Sequence, residues 1–286
     1  MWRFRQARRD ARTTRGVELW RLGSWLLGLT AMAAALISPI DTLADQVFFL
    51  HMIQHVLLLD LVPIFLILAL SKVLLRPVAR TVLELERGLG VIAHPAFAVV
   101  AYAGLMMFWH VPALYDAALR HDTVHVLEHV TFASIGGLYW WHLLSPVRSR
   151  EMTGFSPVIY MLSTKFLVGI LGVGITFARK PLYAFYEQGE RVWGLSPLED
   201  QALAGAIMAL EQSIVMGIAL AFLFVRALSE SERQNAREDA EADRLAAQAR
   251  PVRDVPVAGD RDVTLDRDVR AEADVTVDGE SLAPEQ

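Results

Sequence analysis

VFFLHMIQHVLLLDLVPIFLILAL, residues Val47–Leu70, decides the fold. The run is long and apolar enough to cross about 30 Å of hydrocarbon, which takes about 20 helical residues. It nevertheless carries His51, Gln54, His55 and Asp60. Lipid offers such groups no hydrogen-bond partner, so they must face other protein. A spanning helix with this polar content implies a bundle around it.

Five further stretches of similar length lie on either side: Trp20–Ile37, Val91–Trp109, Thr123–Leu144, Pro157–Phe177 and Ala202–Val225. Six such runs within the first 228 residues leave too little polar surface for a soluble globule. The expected fold class is therefore all-α. It is a polytopic membrane helix bundle of about six transmembrane helices over residues 20–228, with the lipid bilayer as its first partner. The chain is 54% apolar with mean hydropathy +0.35, in agreement.

Charge is divided unevenly. Residues 1–228 hold 19 Lys and Arg against 16 Asp and Glu, a balance of +3. Residues 229–286 hold 8 Arg against 16 acidic groups, a balance of −8. The net −5 thus belongs to the tail, and no nucleic-acid partner is expected. Basic residues in short connections set orientation. Placing the N-terminus inside puts thirteen there: Arg3, Arg5, Arg8, Arg9, Arg12, Arg15, Arg21, Lys72, Arg76, Arg80, Arg87, Arg148 and Arg150. Only Arg120, Arg179, Lys180 and Arg191 fall outside. The expectation is N-in and C-in, with residues 1–19 a basic cytoplasmic segment. The first apolar run exceeds the 7–15 residues of a signal-peptide core, so it reads as an uncleaved helix. Residues 229–286 read as a charged, mostly disordered cytoplasmic tail whose first part, Ser229–Arg250, can prolong the last helix. The connection 178–198 is too polar to cross. Its Tyr183, Phe185 and Tyr186 suit the outer interface belt.

The chain has no cysteine, which excludes disulfides, thiolate metal sites and iron–sulfur clusters. It has eight histidines, and the predicted topology gathers six of them at one side. His51 and His55 begin the second helix, His110 ends the third, and His121, His125 and His129 begin the fourth. Spacings of four put side chains on one helical face. Imidazoles from facing helices can supply a metal's nitrogen ligands. Met52, Met106 and Met208 add thioethers nearby, and imidazole with thioether suits copper. Interhelical hydrogen bonding and haem ligation remain alternative uses of the same residues. Glu128 points about 100° from His129 and need not share its site, though it is a candidate accessory carboxylate there. His94, before Pro95, reads as a helix-start residue, and His142, beside Trp140 and Trp141, as an interfacial one. Asp60, Lys165 and Glu211 fall at similar depth and form an intramembrane charge cluster, with Lys165 expected to pair with Glu211 or Asp60. Asp200 and Gln201 lie at the start of the last helix, as a cap or as accessory groups at the site.

Four blocks carry a family resemblance: Ser38-Pro39 with Leu50-His51-Met52-Ile53-Gln54-His55; Phe108-Trp109-His110-Val111-Pro112-Ala113-Leu114-Tyr115; His121, His125, Glu128-His129, Gly136-Gly137 and Trp140; and Asp200-Gln201 with Ala204-Gly205 and Met208. Together they resemble the polytopic bacterial CtaG family of cytochrome c oxidase assembly factors, across about residues 20–227. The resemblance implies a multi-pass plasma-membrane protein that helps mature a haem–copper oxidase by supplying copper. It implies a ligand set of His51, His55, His110, His121, His125 and His129 on the extracytoplasmic face, with Asp200 and Gln201 beside it. The partner would be an oxidase subunit, and no substrate would be chemically transformed, so the protein is not expected to be an enzyme. A haem-binding membrane protein, a copper transport or resistance protein, and a metal-free scaffold are the alternatives.

Overall fold

The computed structural model describes residues 18–147, 152–187 and 192–249, which are helical, with no strand among them. Arg3–Arg15, Arg148, Arg150, Arg191 and tail residues 250–286 lie outside the described residues. Helix α1 (Leu19–Ile37) leads through a short α2 (Pro39–Ala44) to α3 (Phe48–Val56). A π turn (Leu57–Leu61) joins α3 to α4 (Val62–Leu68). The short α5 (Lys72–Leu75) and α6 (Ala79–Gly88) follow, then α7 (Pro95–Trp109) and α8 (Pro112–Arg120). The chain continues as α9 (Asp122–Leu144), α10 (Ser156–Thr176), the one-turn α11 (Ala184–Glu187) and α12 (Pro197–Ala249).

All six predicted stretches are helical. Four helical segments are long and apolar enough to cross a membrane: Leu19–Ile37, Phe48–Leu68, Ser156–Thr176 and the start of α12. A fifth is added if α7 and α8, bent by 74° at their junction, count as one span. The number differs from six for two reasons. Helix α7 has 15 residues and reaches only about 22 Å at 1.5 Å per residue. Helix α9 is long enough at 23 residues, but its first two turns hold Asp122, His125, Glu128 and His129.

Local chemistry sets the breaks. Pro39, Pro95 and Pro112 open their helices, where a missing N–H costs nothing. His94 accepts a hydrogen bond from the Ala96 N–H at 3.1 Å and so caps α7, as its place before Pro95 suggests. Pro63 has the opposite effect, because it sits inside a span. It cannot donate to the Leu59 carbonyl and its ring crowds that oxygen. The helix widens there, and the Val62 N–H bonds back five residues to the Leu57 carbonyl. The displaced Leu59 carbonyl lies against Gly136 of α9, where an added Cβ would come within 2.0 Å of the oxygen. Only glycine permits that approach, so the distortion in one helix and the glycine in the other are one feature. A second close crossing joins α10 to α12: a Cβ on Gly205 would lie 2.7 Å from the Gly172 carbonyl. Small residues of this kind let membrane helices approach closely.

Helix α9 is central, packing on α4, the π turn, α7 and α8, while α1 packs on α4 and α10 on α7. The bundle unit ends at Arg237. In the following unit, residues 238–249 are helical and residues 238–246 are exposed.

Candidate metal centre

Helix α3 starts at Phe48, but Val47 has no side chain able to cap it. The cap comes from 152 residues away: Asp200 accepts from the Phe48 N–H at 2.8 Å and the Phe49 N–H at 3.0 Å. A carboxylate at a helix N-terminus suits both the free N–H groups and the helix dipole. It fixes the first turn of α3, and with it His51. One turn on, Gln54 donates to the Ala35 carbonyl at 2.7 Å and to Asp41 at 2.8 Å.

Fixed in this way, His51 and His55 meet His125 and His129 of α9. The His51 and His55 ring centroids are 4.2 Å apart, and His125 and His129 are also 4.2 Å apart. Across the helices, His51 stacks on His125 at 5.1 Å, and His129 lies 5.7 Å from His55 and 6.3 Å from His51. Glu128 enters the same space. It is fully buried, with its two oxygens 3.7 Å from His51 Nε2 and 3.6 Å from His55 Nε2. The reason is its spacing from His125 rather than from His129. At i+3 it is rotated about 60° to one side of His125, while His129 at i+4 is about 40° to the other. All three therefore point toward α3.

The polar atoms of this cluster are left without partners. Both ring nitrogens of His51 and His55, Nε2 of His125 and His129, and both Glu128 oxygens are buried with no hydrogen bond. Each such atom costs about 1–3 kcal/mol when unpaired. Donor atoms of His51, His125 and Glu128 all lie within 4.8 Å of one another. Metal–ligand bonds of about 2 Å put neighbouring ligand atoms within about 4 Å, so small side-chain movements would let this group hold an ion.

The remaining predicted residues fall elsewhere. His110 flanks the cluster: it is buried as the C-cap of α7, with Nδ1 2.7 Å from the Met106 carbonyl and Nε2 unpartnered. Its ring meets Tyr115 at 6.1 Å, and Tyr115 meets His51 at 5.2 Å. His121 does not join. It is the residue between α8 and α9, with extended backbone (φ −136°, ψ 109°) and an exposed side chain. The helical phase that aligns His125 and His129 starts one residue after it. Gln201, like Asp200, holds backbone: it accepts from the Leu182 N–H at 2.6 Å. His142 is buried and packs toward Tyr160.

Tyr183 and Tyr186 are buried. Their rings pack with Phe48 and Tyr115 at 4.2–5.3 Å, apart from a 6.3 Å Tyr115–Tyr186 contact. Burial pushes both phenols up, so they stay protonated donors, to the carbonyls of His110 at 3.2 Å and Ala44 at 2.9 Å. The connection thus forms an aromatic cover beside His51.

Deeper in the bundle, Asp60 accepts from Tyr102 at 2.9 Å and Trp140 at 2.7 Å, and Glu211 lies against it. Lys165 makes no ion pair with either carboxylate within 4.0 Å; it is half-buried and acts on Glu211 from farther away. Helix α10 turns Met161, Thr164 and Val168 into the core, which leaves Lys165 at its side. Sequence reading missed Tyr102, although it lies on the same α7 face as Met106 and His110, each four residues on.

An uncharacterized protein of Mycobacterium leprae (strain TN) is 22% identical over 251 residues, covering 81% of this chain and 38% of its own length. An uncharacterized protein of Mycobacterium bovis is 24% identical over 253 residues, covering 78% of this chain and 36% of its own. The chain therefore spans well under half the length of these curated relatives. No solved structure matches it. The sequence profile described as "cytochrome c oxidase caa3 assembly factor" matches residues 1–230. With its apolar helices built around a buried polar core, the chain belongs to the cytochrome c oxidase caa3 assembly factor family.

Proposed function

We propose that the protein is a multi-pass plasma-membrane assembly factor that takes up copper at its histidine cluster and passes it to a subunit of the haem–copper oxidase. His51, His55, His125, His129 and Glu128 would hold the ion, with His110 as a flanking imidazole. The cluster would face the extracytoplasmic side, as the distribution of Lys and Arg implies. Copper here is cargo and no bond of a substrate is made or broken, so the role is not enzymatic.

One observation carries this reading. Four imidazoles and a carboxylate converge from two helices with their polar atoms unpaired. Polar packing would satisfy those atoms with each other, whereas a cation would take one nitrogen from an imidazole and an oxygen from the carboxylate. In a chain without cysteine, imidazole and carboxylate are the harder end of a donor set that can still take copper. Asp200 and Gln201 act as positioning residues, since their bonds go to backbone that fixes α3 and the 178–198 connection.

Purified full-length protein in nanodiscs should bind copper, measured by metal analysis after removal of free ion. A His51→Ala/His125→Ala double variant should lose that copper while keeping its elution profile. Equal copper in both proteins would overturn the reading. A Soret absorption in the purified wild type would assign the cluster to haem.

A further inference from the structure

Met52, Met106 and Met208 are nearly fully buried, at 1%, 4% and 3% exposure, on three different elements. They line one narrow cavity of about 10 Å³ that begins at His55 and ends at Asp60 and Glu211. That volume is about enough for one water-sized occupant. The face of α3 and the π turn supplies one wall, and Asp60 is about 13 Å along the helix from His51.

Methionine most often fills irregular gaps in a core. Core filling would not bring unpaired polar atoms to the same gap. Here both His55 ring nitrogens and Glu211 Oε1 are buried and without partners. Thioether sulfur is a soft, neutral donor that favours Cu(I) and similar monovalent ions. A cation at this depth also needs a countercharge. Asp60 is built to supply one, since Tyr102 and Trp140 donate hydrogen bonds to it as they would to a carboxylate.

We propose that Met52, Met106 and Met208, with His55 at the mouth and Asp60 and Glu211 as countercharge, form a second cation site for a soft monovalent ion such as Cu(I), deeper in the bundle than the imidazole cluster. This rests on the reading of that cluster as a copper site and extends it. The upper group, with its carboxylate and four imidazoles, is the harder site, and the lower group the softer one. His55 belongs to both, so an ion can move between them by exchange of ligands without release to water.

The test is anaerobic Cu(I) titration of the full chain in nanodiscs, with bicinchoninate as competitor and copper X-ray absorption as the second readout. No cysteine is present, so any sulfur neighbour of copper is methionine. Wild type should hold two equivalents, one with sulfur neighbours. Met52→Leu/Met208→Leu should lose one equivalent and the sulfur shell, and His51→Ala/His125→Ala should keep the sulfur-ligated equivalent. Leu-for-Met swaps usually cost under about 1.5 kcal/mol. Should the double variant still misfold, selenomethionine-labelled wild type must show a selenium neighbour of copper, and its absence overturns the site. A single equivalent without sulfur, lost in the histidine variant, overturns this proposal and leaves the imidazole site standing. A single sulfur-ligated equivalent, indifferent to the histidine variant, does the reverse. No bound Cu(I) and no bound Cu(II) defeats both.

Discussion

Glu128 and Asp60 are both buried carboxylates in apolar helices, and the bundle treats them in opposite ways. Asp60 receives hydrogen bonds from Tyr102 and Trp140 at 2.7–2.9 Å, from two different helices. Glu128 receives none, and its nearest polar neighbours are imidazole nitrogens at 3.6 and 3.7 Å. A satisfied polar network holds helices together, whereas an unsatisfied one costs stability until something binds. Asp60 is therefore a joint between α7, α9 and the π turn that is complete before any ion enters the cavity it lines. The region around Glu128 is arranged for an arriving cation.

The largest effect should come from breaking the joint. Asp60→Leu leaves the Tyr102 hydroxyl and the Trp140 N–H without an acceptor in a dry interior. The expected loss is about 2–6 kcal/mol, at about 1–3 kcal/mol per unpaired group. It should appear as a large fall in apparent melting temperature, and Asp60→Asn, which keeps an acceptor oxygen, should recover much of it. Equal stability of Asp60→Leu and wild type would remove Asp60 from the joint.

Gly136→Ala comes next. Its Cβ would press on the Leu59 carbonyl at 2.0 Å, and backbone cannot swing aside as a side-chain tip can. Overpacking of this kind costs about 1–3 kcal/mol. Because the same contact sets the distance from α3 to α9, copper affinity should fall together with thermal stability.

Glu128→Gln should separate the two quantities. It removes a buried charge with no hydrogen-bonding partner, so the metal-free protein should melt at the same temperature or higher. Copper affinity should drop by about 10–100-fold, the usual order when a group supporting a metal is lost. A fall in stability with unchanged copper affinity would make Glu128 a joint like Asp60 and erase the contrast between them.

Much of this was legible in the sequence, for physical reasons that also mark where legibility ended. Length and hydropathy are local properties, so all six helices fall where the apolar runs lie. Spacing within a helix is local too, so the pairs His51/His55 and His125/His129 could be read directly. Contacts between helices are not local. Nothing near Val47 indicates that Asp200 caps its helix, and nothing near Asp60 names Tyr102 or Trp140 as donors. Lys165 looked like the natural partner for a buried carboxylate by charge and depth. Depth alone does not fix side-chain contacts, and Lys165 forms no ion pair within 4.0 Å of either carboxylate. The aromatic residues of 178–198 matched an interface composition, but a cluster around Phe48 and Tyr115 was available to bury them.

The smallest predicted effect is the sharpest check on how the cluster was assembled. His121, His125 and His129 form a regular i, i+4, i+8 series, and resemblance to the family placed all three in the ligand set. The backbone at His121 is extended, and its side chain is exposed where α8 gives way to α9. It therefore lies off the face that carries His125, Glu128 and His129, and its removal exposes no buried partner. His121→Ala should change copper affinity by no more than about twofold, within the few tenths of a kcal/mol expected of a surface substitution. His125→Ala should cost at least about tenfold. A tenfold loss at His121 would mean that copper draws this residue into the helix, lengthening α9 by a turn as the ion binds. The site would then be completed by its cargo instead of being formed in advance. The near-silence of His121 is what a preformed cluster of His51, His55, His125, His129 and Glu128 requires.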